Sequence, residues 1–162
     1  MLDIKMTKEE LLIFHDNLVL VTNLKGTKFA YAIARNLSLI KDEVEALQKV
    51  VIPTEDFLEY ERERIQSNEK YAVKHNGQPQ KYMKDDREQF FIGDQTGFDT
   101  AILILREKYK DALDNRQKQI KELEVLLVED VFFTFREIEE NDFPEGITAK
   151  QLIGISRIIK GF

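Results

Sequence analysis

From Phe29 the apolar residues recur at Ile33, Leu37, Ile40, Val44, Leu47 and Val51, three or four apart. That spacing predicts a long amphipathic helix over about 28–51, which Pro53 must end. A second segment carries Phe98, Ile102, Leu105, Tyr109, Ala112, Arg116, Ile120, Leu123 and Leu127 in the same rhythm, and predicts a helix over about 97–122. On another face of it Lys110, Asp114, Lys118 and Glu122 alternate in sign one turn apart, the pattern of a solvated helix side. The matching lengths predict an antiparallel hairpin of these two helices. Leu37, Ile40, Val44 and Leu47 would then face Leu105, Tyr109, Ala112 and Ile120, either as a core or as a coiled-coil-like subunit seam.

Shorter elements fill the rest. Thr7 and Glu10 form a capping box ahead of a helix over 8–22, with Met6 and Leu11 placed as its staple, although the tail Leu18–Val21 also fits a short strand. Thr27 is placed to cap the helix that follows Gly26. Thr54 caps a more polar helix over 55–73. Asn76-Gly77 supplies the positive φ values of a tight turn, and Gln89–Gly93 has the aromatic, Gly-terminated form of a strand. Thr96 with Asp99 offers another cap. Residues 123–128 look extended, and in 131–136 Val131, Phe133 and Phe135 share one face of a strand. Thr148 and Gln151 box the start of a terminal helix. The expected fold is a helix-dominated α+β domain over residues 1–162, with a small antiparallel sheet from residues near 80–92 and 123–137.

Composition narrows the chemistry more than the fold. The 162 residues include no cysteine, which removes disulfides, thiolate metal sites and thiol nucleophiles. His15 and His75 stand alone rather than in a metal-binding pair, the seven glycines are too dispersed to cradle a phosphate, and no serine sits in a glycine-flanked elbow. Charged residues make up 33% of the chain, yet the net charge is only −6. Acids interleave with the basic residues between Arg106 and Lys121, which argues against a nucleic-acid partner. Asp85-Asp86, Asp111 with Asp114, and Glu59 with Glu63 have spacings usable for catalysis, but charged helix faces explain them equally well. Glu137, Glu139, Glu140, Asp142 and Glu145 make the last quarter acidic. No apolar signal segment follows Met1 and no run is long enough to span a bilayer, so a cytoplasmic, membrane-free protein is expected. Asn36-Leu37-Ser38 matches a glycosylation sequon by chance within a helix.

The stretch Lys25-Gly26-Thr27-Lys28-Phe29-Ala30-Tyr31-Ala32-Ile33-Ala34-Arg35-Asn36, followed by Lys70-Tyr71-Ala72 and Asn76-Gly77-Gln78-Pro79, resembles small tailed-bacteriophage proteins of unknown function. So does the close, Phe143-Pro144-Glu145-Gly146-Ile147-Thr148 before a short apolar helix. The resemblance implies a viral origin, in host cytoplasm or virion, and a structural, assembly or host-interaction role; it implies no catalytic residue. The expectation is therefore a non-enzymatic protein that meets a protein partner, or itself, through helix faces, with no catalytic, cofactor or metal residue assigned. One alternative is an acidic inhibitor of a host nucleic-acid-binding enzyme. A second is a carboxylate metal-dependent nuclease or phosphohydrolase using Glu137, Glu139 and Asp142.

Overall fold

A computed structural model describes residues 1–162, a helix-dominated α+β chain. Six helices run α1 (Lys8–Val19), α2 (Thr27–Val50), α3 (Glu55–Tyr71), α4 (Gln95–Lys108), α5 (Lys110–Leu127) and α6 (Ala149–Gly154). Six strands run β1 (Leu2–Thr7), β2 (Lys74–His75), β3 (Gln78–Pro79), β4 (Lys81–Lys84), β5 (Arg87–Phe90) and β6 (Asp130–Phe135). Packing divides the chain into two compact units, Met1–Val51 with Lys121–Phe162, and Ile52–Ile120, although the sequence contains no recognisable linker.

In the first unit β1 pairs antiparallel with β6, from Leu2 opposite Phe135 to Thr7 opposite Asp130. Alternation turns Ile4, Met6, Val131, Phe133 and Phe135 toward α1 and α2, while Asp3, Lys5, Phe132 and Thr134 face solvent. Under the ribbon lie Leu11, Phe14 and Leu18 of α1, Phe29, Ile33, Ile40 and Val44 of α2, and Ile155 and Ile158 after α6, all buried. Phe14 meets Phe135 edge-on, with centroids 5.3 Å apart. Both expected capping boxes form, Thr7 with Glu10 and Thr148 with Gln151.

In the second unit α3 packs on α4, with two β-hairpins between them in the chain. The first, β2–β3, turns at Asn76 and Gly77 with φ of 51° and 79°. The second, β4–β5, turns at Asp85 and Asp86, again both at positive φ. Three segments meet in a closed ring of backbone hydrogen bonds: Val73 N–H donates to Phe91 C=O (2.7 Å), Phe91 N–H to Gln80 C=O (3.0 Å), and Gln80 N–H to Val73 C=O (2.8 Å). The core of this unit is aromatic, with Tyr60 between Phe57 and Tyr109, and Tyr71 against Phe98.

Several expectations are corrected. The principal helix partner of α2 is α1 and that of α4 is α3, so residues 28–51 and 97–122 do not form the core hairpin. The second long segment is two helices, parted where Tyr109 adopts φ −109° and ψ 24°. Residues 123–127 continue α5 rather than forming a strand. The sheet pairs 130–135 with β1, not with 80–92. Gly26 rather than Thr27 stands at the start of α2, and Asp94 rather than Thr96 caps α4 by accepting from Gly97 N–H at 2.9 Å.

Candidate interaction surface

The acids proposed for chemistry go to separate cations in the first unit. Glu137 accepts from the Met1 amino group at 2.8 Å, Glu139 from Lys160 at 3.0 Å, and Asp142 lies 3.3 Å from Lys28. The hydrogen bond from the amino terminus holds the Glu137 carboxyl below its ordinary pKa, and the Glu139 carboxylate raises that of Lys160. No group of three or more His, Asp or Glu side chains is gathered to hold a metal ion. Of the five acids of the last quarter, these three are each paired with a cation, whereas Glu140 and Glu145 are exposed.

The other candidates have structural surroundings. Asp85 and Asp86 make the hairpin turn, and Asp111 and Asp114 are exposed on α5. Glu59 pairs with Arg62, whereas Glu63 accepts from Lys108 Nζ (2.6 Å) and Tyr109 Oη (2.8 Å), which together lower its pKa. His15 Nδ1 lies 3.1 Å from Asp16 beside a groove between α1 and α2, and His75 is exposed in β2. Asn36 is buried at 1% exposure, bonded to Arg136 of the chain and closed to glycosylation.

Exposed apolar side chains occur at Val125, Val128, Phe132 and Ile153, but on α4 two of them are consecutive beside a groove. The inner side of α4 puts Phe98, Ile102 and Leu105 toward the unit's interior. Its outer side leaves Leu103 and Ile104, consecutive residues, 65% and 64% exposed. Thr100, one turn before Ile104, donates its hydroxyl to the Thr96 carbonyl at 2.9 Å, so its polar group is already satisfied within the helix. Beside them a shallow groove between α3 and α4 is lined by Ser67, Gly97, Ala101 and Ile104, with Lys70 and Tyr71 also contributing. A Cβ on Gly97 would lie 2.8 Å from the Tyr71 ring, so glycine is what lets α4 approach that ring.

Sequence reading missed this surface, although a signal for it was present. Ala101-Ile102-Leu103-Ile104-Leu105 is a continuous apolar run, wider than the stripe one packed helix face needs, and Leu103 and Ile104 fall off the seam of three- and four-residue spacings. The charged series Lys110, Asp114, Lys118 and Glu122 is exposed on α5 as its pattern requires. No helix is long and apolar enough to cross a membrane. No protein-family model, curated protein or solved structure matches the chain.

Proposed function

We propose that this chain is a non-enzymatic interaction or assembly protein, phage-encoded, which seats a protein partner on the outer face of α4. The carrying observation is the exposed Leu103–Ile104 pair beside the α3–α4 groove. Burying one such side chain fully is worth about 1.5–3 kcal/mol, so the pair is a substantial anchor for a complementary apolar surface. The helix start at Lys25-Gly26, the Asn-Gly-x-Pro turn and the Phe143–Thr148 close support the phage reading through their resemblance to phage proteins, and host cytoplasm or virion as its place of action.

The test is purification of the full chain, wild type and L103K/I104K in parallel, from the cells that produce it, followed by cross-linking and peptide mapping. The expected result is a protein in fixed ratio to the wild-type chain, cross-linked at α4 and lost from the double variant. The variant should fold normally, because both side chains are already in water. A set of bound proteins identical for the two chains would overturn the reading.

A further inference from the structure

The ribbon of β1 and β6 has two edges, and they differ. Lys8 N–H donates to Glu129 C=O, which fixes the phase of the ladder: Met6, Ile4 and Leu2 exchange hydrogen bonds with β6, while the peptide groups of Asp3, Lys5 and Thr7 point away from it. Thr7 N–H is taken by the Glu10 carboxylate at 2.9 Å. The Asp3 and Lys5 peptide groups have no partner in the chain. On the β6 edge the equivalent outward peptide of Arg136 is closed on both sides. Asn36 Oδ1 accepts from its N–H at 2.8 Å and Asn36 Nδ2 donates to its carbonyl at 2.9 Å. Helix α2, which carries Asn36, touches β6 and closes this one peptide at its end. The outward peptide groups of Phe132 and Thr134 on that edge have no partner in the chain either, so what sets the β1 edge apart is its charge pattern: its two open positions are Asp3 and Lys5, of opposite sign.

We infer that β1 pairs antiparallel with β1 of a second copy, about a two-fold axis at Ile4, joining two ribbons into one four-stranded sheet. This register places Asp3 opposite Lys5 of the second copy, and Lys5 opposite its Asp3. Both are outward-facing peptide positions, so all four unpartnered N–H and C=O groups on each copy are matched. On the solvent face the same two pairs bring opposite charges together. Shifting the register by two residues either way puts Asp3 opposite Asp3, or Lys5 opposite Lys5, so charge selects the axis as well as favouring contact. The side chains are already held extended on that face. Lys5 Nζ lies 2.7 Å from Asp130 and Thr134 donates to Asp3 at 2.6 Å; each group keeps capacity for a further bond. On the inner face Ile4 meets its own copy. The contact rests on the interaction reading above, which it extends by joining copies through a surface separate from α4.

The test is sedimentation equilibrium of the full chain with its native amino terminus, over about 10 µM to 1 mM, because so short a contact gives weak affinity. The wild type should be a reversible dimer. Lys5→Pro removes one outward N–H without breaking the β1–β6 ladder and should weaken dimerisation about tenfold or more, with the circular dichroism spectrum unchanged. Asp3→Lys and Lys5→Asp should each be monomeric alone, and an equimolar mixture should regain the dimer, because every facing pair is again of opposite sign. If Lys5→Pro fails to fold, the charge variants decide. A wild type that stays monomeric throughout overturns the proposal, including the case in which β1 takes a strand from another protein. So does a dimer indifferent to all three substitutions. Loss of the dimer in L103K/I104K but not in the β1 variants would leave the α4 reading standing and remove this one.

Discussion

Asn36 is the one polar side chain buried in the chain, and it earns that position by imitating a peptide group. Its carboxamide supplies one donor and one acceptor to Arg136, as a neighbouring strand would, and so closes that outward peptide without leaving buried polar atoms unpaired. Replacement by leucine keeps the volume but strands both groups, and should cost about 2–4 kcal/mol in urea unfolding. Asn36→Asp separates hydrogen bonding from packing. As a carboxylate it can accept from Arg136 N–H but faces the carbonyl with no proton to donate, and burial raises its pKa. Protonation restores the donor. Stability of this variant relative to wild type should therefore rise as pH falls through the raised folded-state pKa toward the usual carboxylate range, whereas Asn36→Leu should stay uniformly weakened. Parallel pH responses of the two variants would contradict the peptide-mimic role.

At the scale of elements, the two hairpins of the second unit use the same two-residue turn with different chemistry. Asn76-Gly77 is the preferred pair for two positive φ values, while Asp85 and Asp86 hold φ of 50° and 57° with a Cβ on each. Asp86→Gly should stabilise this unit by about 0.5–1 kcal/mol in urea unfolding; a loss would mean that the aspartates do more than turn the chain. The difference also explains legibility. Asn-Gly announced its turn, and Asp-Asp read as a candidate carboxylate pair. Capping boxes and the α2 stripe were equally plain, because each is a local pattern. Strand β1 was missed although Leu2, Ile4 and Met6 alternate with Asp3, Lys5 and Thr7, since its partner β6 lies at the other end of the chain. Residues 123–127 were misread because a short apolar run fits a strand and a half-buried helix alike. The break at Tyr109 has no Gly or Pro to mark it; there the ring meets Tyr60 and the hydroxyl meets Glu63, contacts that periodicity does not encode. Equal helix length likewise said nothing about partners. The α4 surface was missed although its signal, the surplus apolar residues Leu103 and Ile104, lay in the sequence, whereas the unpartnered peptides of β1 needed the ladder phase.

Across the whole molecule, apolar burial is unevenly shared. The connected core of buried residues, from Met6 through Phe135 to Ile159, belongs to the first unit, whereas the buried apolar residues of Ile52–Ile120 are Tyr60, Ala72, Leu105 and Ala112. Two of those four are alanines, which contribute little transfer free energy, so the second unit depends on aromatic contacts and short hairpins. It should open at lower denaturant than the first. The chain carries its own reporter for this: there is no tryptophan, and of five tyrosines only Tyr31 lies in the first unit, while Tyr60, Tyr71, Tyr82 and Tyr109 lie in the second. Near-ultraviolet circular dichroism therefore follows mainly the second unit, and the far-ultraviolet signal follows helices of both. In urea the near-ultraviolet transition should come first, with substantial helix surviving it. Asp86→Gly should move that first transition to higher urea and leave the later one in place, while Asn36→Leu should lower the later one. Coincident curves that both variants shift together would instead make the two units a single cooperative body.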